Sequence, residues 1–280
     1  MEINFKPIEL SDRDAVTEII YASDKRFCEY TFGNMYCWAK NYGIQLCITE
    51  DTVVMGNPDK MRFNYPVGKN ADAVYEEISR LYPLCTFSCL DIKEADGKTN
   101  DEMKVRFDYI YESNKLATLT GKKLAAKRNH INAFVADGEW YTKEIEKSDI
   151  PSLREFNKKW CAGLCDSDES LKAEMCAVEC GLNNFDALGY RGLMLYKNGN
   201  LCAYCYGERI NRDTFCVHVE KADSDIRGAY QMINREFAKT LCDEFRYINR
   251  EDDAGDEGLR RAKLSYYPLD LGKKFILRRK

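Results

Sequence analysis

Thr214-Phe-Cys-Val-His-Val-Glu-Lys-Ala222 is the stretch on which the reading of this chain turns. Its residues alternate: Phe215, Val217 and Val219 share one face of a strand, and Cys216, His218 and Glu220 share the other. A polar turn follows. Ile226 to Glu244 then reads as a helix, with Tyr230, Ile233, Phe237 and Leu241 forming one apolar stripe toward a sheet. Phe245 to Arg250 is a second strand, and an acidic, glycine-containing turn leads into a basic segment around Arg260, Arg261 and Lys263. Strand, helix and strand joined by short turns, with charges gathered at the strand ends, predict an α/β unit whose ligand site borders those ends.

Working outward, the same plan occurs twice. Leu10-Ser11-Asp12 precedes a helical pattern through Val16, Ile19 and Ile20, and Lys147-Ser148-Asp149 precedes Leu153, Phe156 and Trp160. Each pattern carries a Ser or Asp capping signal. Gly43 to Met55 reads as strand, turn and strand. Gly192 to Glu208 does the same around Asn198-Gly199, a strong hairpin turn. A helix over Ala71 to Leu81 and a strand over Cys85 to Leu90 match the helix and strand of the second copy. The expected fold is therefore mixed α/β (α+β), with two tandem domains, 1–138 and 139–280, each a twisted mixed sheet flanked by helices. The second copy carries more acid/base groups, so the chemistry is expected there.

Composition narrows the classes. The chain has 280 residues, 45% hydrophobic and 31% charged, and a net charge of −4, so no global positive field draws it to nucleic acid or membrane. No apolar run approaches the ~20 residues of a membrane helix, and the N-terminus has no signal-peptide pattern, so a cytoplasmic protein without stable membrane insertion is expected. The 13 cysteines, an odd number, argue against a disulfide framework and read as reduced, buried side chains. Cys161/Cys165 and Cys176/Cys180 could each share a helical face, but their spacing is not that of common zinc sites, and no metal is expected.

Several longer motifs resemble a known family. Asp108-Tyr-Ile-Tyr111, Leu119-Thr-Gly-Lys-Lys-Leu-Ala-Ala-Lys-Arg-Asn-His-Ile-Asn-Ala-Phe134, His218-Val-Glu-Lys-Ala222 with Gly228-Ala-Tyr230 and Ile233-Asn234, and Asn249 through Tyr266 occur in order. Together they resemble soluble proteins grouped with the C-terminal domain of phosphatidylglycerol lysyltransferases. The resemblance covers nearly the whole chain. It implies two tandem domains of the GCN5-related N-acetyltransferase (GNAT) type, and kinship to enzymes that move an aminoacyl group from a charged transfer RNA.

The resemblance also implies where the chemistry lies. In this fold the acyl donor occupies a wedge between two splayed strands, and a helix N-terminus faces the donor phosphates. That terminus is Ser224 to Ala229, with Arg227 and Gly228 as donor-binding residues, although Asp223 and Asp225 would repel a pyrophosphate. Ser224 or Asp225 serves equally well as a plain helix cap. Glu220 or His218 is expected to take the proton from an attacking amine, and Tyr266 or its neighbour Tyr267 to protonate the leaving group. Glu220 is a useful base only in a partly enclosed site, because a carboxylate beside Arg250 otherwise holds its charge. Lys122, Lys123, Lys127, Arg128 and His130 form a basic run suited to a phosphate-bearing donor, and Asn249, Arg250 and Lys263 add to it at the strand end. The expected activity is acyl or aminoacyl transfer from acyl-CoA or aminoacyl-tRNA, used as co-substrate with no tightly bound cofactor, to a small-molecule or peptide acceptor. The rival reading is a non-catalytic ligand- or nucleic-acid-binding protein on a degenerate GNAT fold.

Overall fold

The computed structural model describes residues 2–161 and 169–279. Cys165, one of the paired cysteines considered above, lies outside them.

Two mixed sheets carry the fold. The first runs β1 (Lys6–Pro7), β2 (Gln45–Ile48), β3 (Thr52–Asn57), β4 (Arg62–Asn64), β6 (Thr86–Leu90) and β14 (Phe275–Arg278), with β5 (Val67–Gly68) also pairing with β3. The second runs β8 (Trp140–Glu144), β9 (Arg191–Lys197), β10 (Asn200–Arg209), β11 (Thr214–Ala222), β12 (Tyr247–Asn249), β7 (Asp108–Glu112) and β13 (Asp270–Gly272). Each sheet has one parallel pair, β4 with β6 and β11 with β12, and all its other pairs are antiparallel. Both parallel pairs are bridged by a crossover helix, Ala71–Leu81 in the first copy and Ala229–Leu241 in the second, as parallel neighbours require.

The duplication extends to single ion pairs. Both copies enter their first helix through a short 3₁₀ turn closed by a reciprocal acidic cap, Glu9 with Asp12 and Glu146 with Asp149. In each the capping aspartate is also held at 2.6 Å by a lysine on the first strand, Lys6 or Lys143. The Asn198-Gly199 turn joins β9 to β10 as the sequence predicts.

The expected division between residues 138 and 139 does not separate the sheets. β7 follows β6 in the first copy, yet it pairs with β12 of the second. β14 follows β12 in the second copy, yet it pairs with β6 of the first. Each copy thus completes the other's sheet with its last strand, a reciprocal exchange that local periodicity does not encode. One core crosses the same boundary. Val16, Ile20, Met35 and Leu46 pack with Leu153, Val178, Leu182 and Tyr206 in a single cluster. Among the described residues eleven cysteines are free, most of them buried. Cys161 departs from the expected reduced state, being disulfide-bonded.

An ion pair fastens the exchange. Lys274, immediately before β14, donates from Nζ to Asp108 Oδ1 at the start of β7, 2.8 Å away, and neither side chain is exposed at all. Glu29 also accepts from Lys274. Asp108 Oδ2 accepts from the Cys28 N–H and from Asn249 Nδ2, each at 2.8 Å. Burial on its own would lower the Lys274 pKa, but Asp108 and Glu29 hold it well above the ordinary lysine value.

Removing one partner of such a pair leaves a buried charge unmatched. Lys274→Met is expected to lower unfolding stability by about 3–5 kcal/mol. Combining it with Asp108→Leu should cost less than the sum of the two single changes, as read from urea unfolding of the four proteins in a double-mutant cycle.

Candidate active site between splayed strands

β11 and β12 pair over three rungs only, from Thr214 with Tyr247 to Cys216 with Asn249. β11 then continues to Ala222 with no parallel partner, while the chain after Asn249 turns away. The result is a wedge open at the strand C-terminal ends, where α/β sheets bind ligands. The first sheet splays in the same way past Asn64 and Ser88. There the space is packed with buried aromatic rings: Tyr75 lies 4.8 Å from Phe87 and 5.3 Å from Tyr65. In the second sheet it is lined by charge.

A β-bulge corrects one expectation. The β10–β11 register slips between Tyr206 and Gly207, so that Tyr206 opposes Val219 and Gly207 opposes Val217. Gly207 permits this approach, since a Cβ there would lie 1.8 Å from the Cys216 carbonyl oxygen. One extra residue on β11 shifts the two-residue alternation by one. His218 and Glu220 therefore face opposite sides of the sheet, and His218, Glu220 and Arg250 do not share one cavity. Val219 correspondingly packs in the core shared by the two copies, not with Phe215 and Val217 under the crossover helix.

Glu220 faces the wedge. Its Oε1 accepts from Arg250 Nη2 at 2.8 Å and its Oε2 from Asn234 Nδ2 of the crossover helix at 3.0 Å. The two charged side chains are 13% and 11% exposed. The Arg250 guanidinium lies 4.9 Å from the centre of the Tyr266 ring and 5.7 Å from that of Tyr111, and Lys127 Nζ sits 4.1 Å from the Tyr266 ring. Burial, with the nearby Arg250 charge, lowers the Lys127 pKa. Burial raises Tyr111 and Tyr266 well above the ordinary phenol value, so both hold their protons. Two polar atoms here, Arg250 Nη1 and Asn234 Oδ1, are buried without a hydrogen-bond partner among the described residues. An unmatched donor and an unmatched acceptor in one wedge are a reason to expect a bound group.

His218 faces the first copy. Nδ1 is 2.7 Å from Glu251 Oε1, Nε2 is 3.0 Å from Glu208 Oε1, and Thr31 Oγ1 lies 3.4 Å from Nε2. Burial alone would lower the histidine pKa. The neighbouring Cys216 sulfur and the hydrogen bonds to Glu208 and Glu251 reverse this and place it well above its usual value. The Cys216 thiol is pushed up to about 12, mainly by burial, so near neutral pH it is uncharged and the two carboxylates hold the imidazolium.

The other expected residues divide by what they touch. Lys122, Lys123 and Arg227 are exposed, with Lys123 Nζ 5.1 Å from the Tyr267 ring. Arg128 is spent on the chain itself, donating to the Leu119 and Gly121 carbonyls at 2.5 and 2.7 Å. Lys263 Nζ clamps the turn after β12 through the Arg250 and Asp252 carbonyls. Asn249 is fully buried, bonded to Asp108 and to the Arg26 carbonyl, and belongs to the strand exchange. Neither Ser224 nor Asp225 caps the crossover helix, which begins at Ala229 with Gly228 at its cap and φ +88°. The helix Ala125–Ala136 lies directly over that cap: a Cβ on Gly228 would sit 2.4 Å from the His130 carbonyl oxygen.

Asn234, Glu208 and Glu251 escaped the sequence reading as site residues. Asn234 left a trace, a polar residue four positions after Tyr230 on an otherwise apolar helix stripe. Glu251 left a trace as one of the charged residues ending the strand after the crossover helix, while Glu208 left none, since strand pairing alone brings it to His218.

The two mixed sheets form a tandem GNAT-like fold whose second copy holds the charged cleft. The chain belongs to the family of phosphatidylglycerol lysyltransferase C-terminal domains, which it matches over residues 22–278. It is 36% identical to a conserved protein of unknown function from Bacteroides thetaiotaomicron over the full length of both chains, with a TM-score of 0.93. The structure of L-PGS from Bacillus licheniformis superposes with a TM-score of 0.70 at 13% identity, covering 100% of this chain and 95% of that one. An uncharacterized protein of Mycoplasmoides gallisepticum is 25% identical over 173 residues, which are 61% of this chain and 56% of that protein, so the match spans little more than half of the relative. Among the described residues no helix is long and apolar enough to cross a membrane.

These placements separate residues that hold the fold from exposed ones. Arg128→Ala and Gly228→Ala should each lower the melting temperature, the latter costing about 1–3 kcal/mol for a side chain forced into positive φ. Lys122→Ala with Lys123→Ala should leave it unchanged.

Proposed function

We propose that the wedge transfers an aminoacyl group from aminoacyl-tRNA to an amine or hydroxyl acceptor. The observation that carries this reading is the pair of unmatched polar atoms beside the Glu220–Arg250 pair. An aminoacyl ester has complements for both. Its carbonyl oxygen accepts from Arg250 Nη1, and its α-ammonium donates to Asn234 Oδ1. As the acceptor attacks, charge grows on that carbonyl oxygen, where a preorganised donor in a water-poor site is most effective.

In the transfer, a bond forms between the acceptor nitrogen or oxygen and the acyl carbon, and the ester C–O bond to the ribose breaks. The acceptor proton passes to Glu220, and the departing ribose oxygen takes a proton from Tyr266. Solvent then returns the Glu220 proton to Tyr266. His218 faces away from the wedge and is left out of this sequence. Lys127 sits beside the reacting groups, while the exposed Lys122 and Lys123 are free to meet the RNA backbone.

Transfer RNA is favoured over coenzyme A on two grounds. The crossover-helix cap, where a pyrophosphate would bind, lies under the His130 carbonyl, and the exposed Asp223 and Asp225 flank it. Family membership and the L-PGS likeness agree with an aminoacyl donor.

The test uses tRNA charged with radiolabelled amino acid, incubated with the protein and either phosphatidylglycerol vesicles or an amine-bearing peptide. Glu220→Gln should cut transfer by ~10²-fold or more while leaving the protein folded and binding RNA, with a melting temperature lowered by the loss of Arg250's counter-charge. Replacing Lys122 and Lys123 by alanine should weaken RNA binding and lower its salt slope by about 1 per lysine. Binding of charged tRNA without transfer to either acceptor, by the parent protein and Glu220→Gln alike, would instead favour a binding protein.

A further inference from the structure

We propose that Cys216, His218 and Glu251 form a site for one zinc-class divalent cation, on the face of β11 opposite the wedge. Their ligand atoms lie within 4.8 Å of one another. Cys216 Sγ is 3.7 Å from His218 Nδ1 and 4.0 Å from Glu251 Oε1, and Nδ1 is 2.7 Å from Oε1. Tetrahedral zinc with bonds of about 2.0–2.3 Å sets its ligands roughly 3.3–3.7 Å apart. The two sulfur distances need to close by only a few tenths of an ångström. The nitrogen–oxygen distance must open, and Glu251, 28% exposed at the end of a strand, has room to move. Thiolate, imidazole and carboxylate together suit zinc better than calcium or magnesium.

The surroundings fit this reading. Metal-bound histidines usually give their other ring N–H to a carboxylate, which fixes the tautomer. Glu208 Oε1 stands 3.0 Å from His218 Nε2 and is itself held by the Gly33 N–H at 2.7 Å. Cys216 and His218 sit on β11 and Glu251 just past the end of β12, and pairing of Cys216 with Asn249 brings His218 and Glu251 together although 33 residues separate them. That separation is why no cysteine spacing announced the site.

A second cluster supplies the contrast. Cys28, Glu29 and Asp108 also converge, but the Lys274 ammonium already serves as their cation. Among the described residues neither Glu208 nor Glu251 pairs with any lysine or arginine. Binding would expel two protons, one from the Cys216 thiol and one from imidazolium Nδ1. Three protein ligands leave the fourth position to water.

The experiment strips the full chain with EDTA and titrates it with Co²⁺, following the thiolate-to-cobalt absorption, then displaces the cobalt with Zn²⁺. One equivalent is expected, with the band absent in Cys216→Ser and affinity reduced about 10–100-fold in Glu208→Gln. Glu251→Gln, partly exposed and expected to keep the parent melting temperature, should also bind weakly. Failure of the stripped parent protein to take up either ion would overturn the proposal. Uptake unchanged in Cys216→Ser or Glu251→Gln would overturn it equally, by placing the ion elsewhere.

Discussion

The Asp108–Lys274 pair is the contact on which the architecture rests. It joins the start of β7 to the residue before β14, the two strands that cross between copies. Taking both charges out of water costs several kcal/mol per ion, so the pair is better understood as a device of specificity than as a source of stability. Two copies of one plan could pair each last strand with its own sheet. That arrangement would have to match Asp108, Cys28 N–H, Asn249 and Lys274 anew, and a mismatch inside the core is far dearer than one at the surface. The ion pair marks the exchanged arrangement as the correct one. It also ties the candidate site to the rest, because Asn249, which holds Asp108, precedes Arg250 and Glu251 directly.

From Asn249 onward the site divides by faces. Arg250 reaches the wedge and Glu251 the opposite side, just as the bulge sends Glu220 one way and His218 the other. One strand thus serves two polar clusters back to back. The wedge cluster keeps two atoms unmatched and is ringed by tyrosines. The histidine cluster is satisfied by carboxylates and closed by Thr31 of the first copy. Separation by a sheet keeps the imidazolium from drawing Glu220 away from Arg250.

Much of this could be read from the residues. The repeat, the helix Ala71–Leu81 and the Asn198-Gly199 hairpin follow local rules of period, capping and turn chemistry, and the structure reproduces them. Glu220 and Arg250 could be paired from the crossover connection alone. What could not be read depends on contacts distant in sequence. The bulge at Tyr206/Gly207 shifts alternation by one residue, and a glycine in a strand allows such a slip without requiring it. Arg128 and Lys263 read as free cations, but carbonyls of loops folded back on them consume their donors. The strand exchange leaves no local trace, because β7 and β14 are compatible with either sheet.

The exchange also sets an order of events during synthesis. The first copy leaves the ribosome with β7 unpaired, since its neighbour β12 follows more than 130 residues later. The first sheet stays open at β6 until residues 275–278 arrive. Neither copy can close while it is being made, so a growing chain carries two exposed strand edges for about half of its translation. Such edges invite pairing with other chains. The two long-range closures must then occur late and together, which makes for slow, cooperative folding of the whole chain rather than of one copy after the other.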